Sequence, residues 1–577
     1  MGSDVGKFLE ARDFLLNVKS YKEAYENFKW PDIKEFNWAL DYFDKMAQGN
    51  NDLALIWVNE NCDEKKLTFD EMRRKSNKVA NFLKDIGLKK GDRAFIIMEA
   101  IPEGHELTLA LMKTGGVYIP GATILPAKDI ADRIERGNIK FVIVQDDYVD
   151  KVMKVDKAVL DKVKLINIGD TERQGWINYT KSIEKYSDEF TPEEPTYATD
   201  ECYLFFTSGT TAKPKLVMHT HIYPVGHLTT MYWVNTRKGD VHYNISSPGW
   251  AKYAWSSIFT PWNAGATIFI LQYSKFDAEL VLRVLEKYKI STLCAPLSVL
   301  KLLTLEDLSK YKFNLRQVVS AGEPLIPEVV EKVEEALGVE IREGYGQTES
   351  TCMIANFPNE PRKELSFGKC APGYHIEVLD SSFNKVKPGD DGQICVKVKP
   401  DKPLGLLYKY DDKEVNDSVF RDDWYLTGDS AYYDEDGYFF FVGRTDDVFK
   451  SLDYRISPFE VESELSVYHA ILEVAVVPTI DERERVVPKA FIVLKPDFKP
   501  GREIALDIFK FIRKNIAPYK RPRSIEFLQE FPKTISSKVM RKDLRAYERE
   551  LLKEGERRAF EFKETDFKKE LDLGKRI

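Results

Sequence analysis

The 577 residues carry 85 basic and 93 acidic side chains, a formal charge of −8, with 43% hydrophobic and 31% charged residues. A single packed core rarely grows beyond roughly 250–300 residues, so several domains are expected, and the composition excludes disordered, collagen-like and disulfide-scaffold classes. Acids and bases are interspersed, which leaves no long cationic track for a nucleic-acid backbone.

The six cysteines, Cys62, Cys202, Cys294, Cys352, Cys370 and Cys395, lie far apart with no C-x-x-C pair. That spacing points to small buried side chains in a reducing, cytoplasmic compartment rather than to disulfides or zinc. No apolar run reaches the roughly 18 residues of a transmembrane segment, and the opening MGSDVGKFLEARDF has charges where a signal peptide needs an apolar stretch. The oligomeric state is left open, a homo-oligomer included.

From Leu67 the elements become legible. Thr68 and Glu71 form a capping box; Met72, Val79, Phe82, Leu83 and Ile86 follow at helical spacing, and Gly87 can close the helix. An apolar run from Ala94 to Met98, a helix over 103–114, a run from Val117 to Pro120, a helix near 127–136 and a strand from Phe141 to Val144 continue the alternation, which predicts parallel strands with helical crossovers. After residue 200, Asp277 caps a helix reaching Tyr288, Ser291–Cys294 and Val318–Ser320 read as strands, and Pro327–Leu337 reads as a helix closed by Gly338. Residues 365–440 change to short alternating runs between turns, without helices, as in an antiparallel sheet or small barrel.

The segment after Gly443 predicts strands near Val474–Val477 and Ala490–Leu494 and helices near 458–468 and 505–515, and the charged stretch from Arg541 predicts a solvated helix and a loose tail. The fold expected is α/β. A large N-terminal domain holds two parallel-type α/β layer subdomains (1–200 and 201–365) and a small antiparallel β-barrel (366–443). A hinge (444–447) leads to a small mobile α+β C-terminal domain (448–577).

Three loops carry chemistry. Thr207, Ser208, Gly209, Thr210, Thr211, Ala212, Lys213, Pro214 and Lys215 follow the strand-like Cys202–Phe206. Hydroxyls, amides freed by glycine and an ammonium are what a polyphosphate requires, yet Pro214 and Leu216 exclude a Walker A loop. Ala321-Gly322-Glu323-Pro324 and Glu343-Gly344-Tyr345-Gly346-Gln347-Thr348-Glu349 each end a strand, and ligands of open parallel sheets bind beyond the carboxyl ends of strands. Glu349 suits magnesium, Thr348 a phosphate, and Tyr345 offers a face to a purine. Downstream, Asp429 ends Trp424-Tyr425-Leu426-Thr427-Gly428-Asp429 and can accept from vicinal hydroxyls. Lys538 lies among small residues on a loop, where a solvated basic loop is the plain alternative.

In this order and spacing the segments resemble the acyl-adenylate-forming superfamily of acyl-CoA synthetases, adenylation domains and luciferases, over roughly residues 35–545. Ser247–Trp255, Glu343–Glu349 and Ala517–Lys520 are similar to its medium-chain acyl-CoA synthetase (AMP-forming) branch. The resemblance implies that Thr207–Lys215 binds phosphates, that Gly322, Glu323, Pro324 and Glu343–Gln347 frame adenine around Tyr345, and that Thr348 meets the α-phosphate. It also implies that Glu349 holds Mg2+, Asp429 and Arg444 take ribose, Arg455 meets phosphate, Asp446 is the hinge, and Lys538 drives adenylation with Thr348 and Glu349. An acyl pocket at Trp250, Ala251, Lys252, Ala321, Gly322 and Gly346, and coenzyme A contacts at Leu452, Asp453, Tyr454, Lys520 and Arg521, complete the carry-over.

Ala212 and Ser537 replace glycines of the usual pattern by other small residues, and Asp453 stands where many relatives keep glycine beside the pantetheine tunnel. The implied reaction joins a carboxylic acid to CoA at the expense of ATP, through an acyl-adenylate. Residues 245–260 hold no Asp or Glu for an α-ammonium, and Gly346 stands where acetate-specific relatives close the pocket with tryptophan, so a medium-chain or branched acid is expected. Two rival readings stand beside it: an adenylating enzyme that loads a carrier protein or another thiol, suggested by Asp453, and a non-catalytic acyl or nucleotide sensor, against which Lys538, Glu349 and Asp429 count. Lys252 reads equally as a pocket-tuning cation or a snorkelling surface residue. His219 and His221, two apart, read as core or surface residues rather than a metal pair, and no G-x-S-x-G hydrolase motif is present.

Overall fold

The computed structural model describes residues 4–207, 214–322, 325–451, 454–481, 484–534, 539–554 and 558–571. The chain forms two compact units. The first gathers Met1–Ile376, Val396–Tyr425 and Asp436–Phe439, and the second Glu377–Cys395, Leu426–Glu435 and Phe440–Ile577.

Two large sheets lie in the first unit. One runs in the order Lys409–Tyr410, Lys215–Thr220, Glu201–Thr207, Val117–Gly121, Arg93–Ile97, Ile139–Gln145, Lys164–Ile168, Ile177–Asn178. It is parallel from Glu201–Thr207 onward and antiparallel at the hairpin of Glu201–Thr207 with Lys215–Thr220. The other runs Lys369–Cys370, Ile354–Ala355, Ile341–Tyr345, Gln317–Ala321, Thr292–Cys294, Val241–Asn244, Thr267–Gln272, Leu53–Asn59, Glu64–Thr68. Its six central strands are parallel. The sheets do not divide at residue 200 as the sequence suggests: the Glu201 hairpin joins the earlier strands, and Leu53–Thr68 joins the later ones. Pairing partners are chosen by long-range burial, which chain order does not reveal.

Local signals place the helices. Thr68 accepts from the Glu71 amide while the Glu71 carboxylate takes the Thr68 amide, opening Phe69–Asp85; the reciprocal bonds satisfy two amides that the first turn leaves unpaired. Asp277 caps Ala278–Lys287 through the Leu280 amide, and Pro327–Leu337 ends on left-handed Gly338. Ala278–Lys287, Leu297–Leu303 and Pro327–Leu337 set Leu282, Leu285, Leu300 and Val333 against Phe269, Leu293, Val318 and Ile341 of the second sheet. Each such buried aliphatic side chain contributes about 1.5–3 kcal/mol, and together they fix the strand ends from which the site loops emerge.

Two expectations fail here. The 365–440 stretch is not free of helices, because Asp412 accepts from the amides of Glu414 and Val415 and starts Lys413–Val419. Nor is the segment after Arg541 a loose tail. In the second unit a four-stranded sheet runs Ile471–Ile480, Val486–Leu494, Ser524–Phe527, Glu561–Lys563, so the last strand pairs antiparallel with Ser524–Phe527. Phe567 is buried with Ile508, Phe509 and Ile512 of helix Arg502–Asn515. Buried Lys489 is held by Glu526 (2.9 Å), Glu548 (2.7 Å) and Glu561 (2.7 Å), so three carboxylates, two from this charged segment, overcome the burial that would otherwise lower its pKa and raise it instead. The charges that read as solvated are partly internal.

Candidate active site

In the first unit the hydroxyl-rich segment leaves the sheet at Thr207 and returns at Pro214 and Lys215; Ser208–Lys213 lie outside the described residues, as do Glu323, Pro324, Leu452, Asp453 and Lys538. Thr207 and Lys215 are cross-strand partners at the loop end of the hairpin. Four residues along the returning strand, His219 brings Nε2 within 2.8 Å of the Thr348 carbonyl oxygen. Burial pushes this imidazole down to about 4, despite the favourable backbone contact, so near neutrality it is uncharged and donates from Nε2. His219 and His221 are both buried, and His219 stacks on Tyr223 at 4.0 Å.

A second tie comes from a residue that the sequence reading passed over. Tyr410 lies on the two-residue edge strand that pairs with the returning strand, opposite Val217. Its hydroxyl donates to Glu349 Oε1 at 2.8 Å, and the Lys215 ammonium stands 5.6 Å from its ring centroid. The phosphate-type hairpin and the Glu343–Glu349 loop are thus stitched together twice, through His219–Thr348 and through Lys215–Tyr410–Glu349. Only the fold reveals Tyr410, since an isolated Lys-Tyr pair has no periodicity to announce a strand.

Along Ile341–Tyr345 side chains alternate. The Tyr345 ring meets Phe367 edge-on at 5.4 Å. A Cβ at Gly344 would lie 2.4 Å from Trp233 Cζ2, and one at Gly346 would lie 2.3 Å from Trp255 Cη2. The room that glycine at 346 was expected to leave is already taken by the Trp255 indole. The Glu343 carboxylate accepts from the Leu325 amide at 3.3 Å, tying the segment after Gly322 to the neighbouring strand, and Gln347 Oε1 accepts from the Tyr425 hydroxyl at 3.1 Å. Gly322 has φ +102°, open to glycine at little cost. Among the acyl-pocket residues Ala251 and Ala321 are buried and Trp250 is half-buried. Lys252 is half-buried and donates to the Ala321 carbonyl at 3.0 Å.

In the second unit Asp429 is buried and meets Arg444 at 3.2 Å, with Gly428 at φ +74° beneath the guanidinium. Arg444 also reaches Asp446 at 3.4 Å. The neighbouring Asp447 pairs with Arg541 and Arg545 of helix Arg541–Glu554. Arg455 sits on the short strand Tyr454–Ile456. Exposed Tyr454 packs against Tyr519 at 4.8 Å. Lys520 is buried between Glu460 and Glu464, and Arg521 donates to the carbonyls of Arg513 and Ile516, 2.7 Å each, at the end of helix Arg502–Asn515. Both cations expected at coenzyme A are thus engaged within the unit.

Glu349 presents one carboxylate, whose Oε1 accepts from the Tyr410 hydroxyl. Magnesium commonly takes one or two carboxylates and completes its shell with water and substrate phosphates, so this donor set fits an ion that arrives on a triphosphate.

Parallel sheets with loops converging beyond their strand ends, a hydroxyl- and lysine-bearing hairpin and a nearby carboxylate define an enzyme that handles a nucleotide. Residues 43–399 match the AMP-binding enzyme family and residues 460–538 its C-terminal domain. The chain is 39% identical over 545 residues to the mitochondrial acyl-coenzyme A synthetase ACSM3 of Rattus norvegicus, covering 92% of this chain and 94% of that one. It is 40% identical over 558 residues to 4-hydroxybutyrate–CoA ligase 1 of Metallosphaera sedula, covering 95% and 97%. A Brucella canis acyl-CoA synthetase superposes with TM-score 0.72 at 29% identity over 93% of this chain and all of that one, and the anthranilate CoA ligase AuaEII, solved with anthranoyl-AMP, with TM-score 0.80 at 26% identity over 89% and 97%. The chain belongs to the AMP-binding enzyme family and is an AMP-forming acid–thiol ligase of the acyl-CoA synthetase type.

Proposed function

We propose that the enzyme activates a medium-chain or branched carboxylic acid with ATP and passes the acyl group to coenzyme A. The observation that carries this reading is the double tie between the Lys215 hairpin and Thr348–Glu349. The substrate carboxylate attacks the α-phosphorus of ATP and pyrophosphate departs; the thiol sulfur then attacks the acyl carbonyl carbon and AMP leaves. Thr207 and Lys215 offer a hydroxyl and a cation to the phosphates, Thr348 a hydroxyl to the α-phosphate, and Asp429 accepts from ribose hydroxyls beside Arg444. Lys538 places its charge on the group in flight, where fixed charges act most strongly on the barrier. Magnesium, held at Glu349, would offset charge on the phosphates. Asp446 serves as the hinge between the two half-reactions, and Leu452, Asp453 and Tyr454 border the thiol's approach. Six free cysteines, five of them buried, support a cytoplasmic setting, and no helix among the described residues is long and apolar enough to cross a membrane.

A panel of acids graded in length and branching, assayed for AMP with and without CoA, tests the reading. Acyl-CoA must appear only when both ATP and CoA are present; turnover confined to amino acids overturns the substrate class. Half-buried Lys252 and the 4-hydroxybutyrate relative together favour including hydroxylated acids. If acyl-AMP accumulates without acyl-CoA, and Asp453→Gly restores the thioester, the acceptor is another thiol.

A further inference from the structure

The segment from Gly405 to Asp411 holds both to the Glu343–Glu349 loop and to the phosphate-type hairpin. On the loop side the Leu407 amide donates to the Glu349 backbone carbonyl at 2.6 Å, and the Gly405 carbonyl accepts from the Thr351 amide at 2.9 Å. On the hairpin side the Tyr408 amide donates to the Met218 carbonyl at 2.7 Å and the Asp411 amide to the Leu216 carbonyl at 3.1 Å, with Lys409 and Tyr410 opposite Met218 and Val217. Gly405 passes through a slot that admits no side chain, since a Cβ there would collide with Thr351 Oγ1 and Tyr374 Oη. Leu406 and Leu407 are buried. The segment is a bracket, and a shift in it would move Glu349 and the Lys215 strand relative to each other.

Lys402 ties the start of this bracket to its middle. Its half-buried ammonium donates to the Tyr408 carbonyl at 3.0 Å and stands 4.7 Å from the Phe420 ring centroid. Neither partner carries a formal charge, and burial pushes the amine down to about 8, so near neutrality it is still mostly an ammonium. A hydrogen bond from an ionised donor is roughly twice as strong as a neutral one, and the ring face adds a cation–π attraction. The same charge reaches His219 and lowers that imidazole further, which favours the neutral form that donates to Thr348.

We propose that Lys402 is a positioning residue for the magnesium–triphosphate site: through the Tyr408 carbonyl its ammonium holds the bracket that keeps Glu349 and the Lys215 hairpin in register. This rests on the phosphate and magnesium roles given above to Lys215 and Glu349. Losing that register weakens the half-reaction that consumes ATP. The second half-reaction, in which a thiol displaces AMP from the acyl-adenylate, involves no triphosphate and is spared.

The test compares full-length wild type, Lys402→Met, Lys402→Gln and Lys402→Arg in two assays, using the best acid of the panel above and its acyl-AMP. One follows acid-dependent pyrophosphate release against magnesium–ATP, and the other follows thioester formation from supplied acyl-AMP and CoA. Lys402→Met raises the KM for magnesium–ATP about 10-fold or more, the loss expected of a hydrogen bond from a charged group, and leaves thioester formation from acyl-AMP within about twofold of wild type. Lys402→Gln, a neutral donor, falls between. Lys402→Arg stays near wild type, because a guanidinium keeps the charge and stacks on an aromatic face. The inference is overturned if Lys402→Met slows both half-reactions by one factor, if its KM for magnesium–ATP is unmoved, or if Lys402→Arg is as impaired as Lys402→Met. Should Lys402→Met not fold, Lys402→Gln decides alone, since an unmoved KM in that variant is sufficient to refute. An unmoved KM for magnesium–ATP in Glu349→Gln would instead strike at the reading of the phosphate and magnesium site itself.

Discussion

Acid should unfold the first unit through its histidines. His105, His219, His221, His227 and His242 are all buried in it, and burial pushes His105, His219 and His221 down to about 4, His242 to about 3, and His227 well below its usual value. Partners are few: His105 Nε2 lies 2.8 Å from the Ser257 carbonyl, His242 sits between Thr292 and Ser256 hydroxyls at 2.7 and 2.9 Å, and neither nitrogen of His221 has a partner. With folded values depressed, the unfolded chain binds more protons between pH 6.5 and about 4, so stability is fully present above that window and is lost as pH falls through it. A histidine shifted from 6.5 to about 4 gives up about 2 kcal/mol by about pH 5. A few acting together approach the whole of a typical stability of about 5–15 kcal/mol. Buried Asp44 and Glu106, raised chiefly by burial, act in the opposite sense, so the slope of the wild-type enzyme alone mixes both. The clean measurement is a difference: denaturant unfolding at pH 7.5, 6 and 5 for wild type and His242→Asn, which should recover about 2 kcal/mol of the loss at about pH 5. Identical pH dependence in the two proteins would refute the reasoning.

Three further outcomes follow from particular contacts. Lys538→Ala should cut acid-dependent pyrophosphate release by roughly 100-fold or more while leaving the circular dichroism spectrum unchanged. Tyr410→Phe removes the hydroxyl that donates to Glu349; a hydrogen bond to a charged group contributes about 1.5–3 kcal/mol, so the KM for magnesium–ATP should rise, and an unaltered KM would exclude Tyr410 from the site. Lys489→Met strands Glu526, Glu548 and Glu561 without their shared cation. Breaking such a buried pair costs about 3–5 kcal/mol, read as a lowered unfolding midpoint at neutral pH.

What the sequence disclosed was whatever is written in short-range spacing. The Thr68–Glu71 box, the Asp277 cap and the Gly338 terminus appear where their residue types require, whereas Glu343, Gly344 and Tyr345, expected on a loop, close the strand Ile341–Tyr345. What stayed hidden depends on partners far along the chain. Tyr410 reaches Glu349 because two residues pair with a strand nearly two hundred positions earlier, and Trp255 covers Gly346 from a segment some ninety positions away. The glycine alone suggested space; the tryptophan's position, which no local pattern encodes, decides whether the space is empty. The charged C-terminal stretch misled for the same reason, since Glu548 and Glu561 read as solvated until Lys489 supplies an internal counter-charge.

The manner in which the site loop is fastened bears on how it meets a polyanion. A loop held by lysines would spend the positive charge that phosphates need, and one held by carboxylates would repel them. Here four fastenings come from neutral donors: neutral His219 donates to the Thr348 carbonyl, Tyr410 to Glu349, Tyr425 to Gln347, and the Thr351 amide to the Gly405 carbonyl at 2.9 Å. Burial keeps Tyr425 protonated by raising it well above its usual value. Lys215 accordingly stands against the face of Tyr410 instead of being neutralised by Glu349, although that carboxylate holds the same tyrosine's hydroxyl. Fixed neutral donors position the loop before a ligand arrives, which is the preorganisation that makes electrostatic stabilisation effective. The same arrangement couples shape to pH, because protonating His219 would put a second cation on the returning strand and charge the donor that positions Thr348.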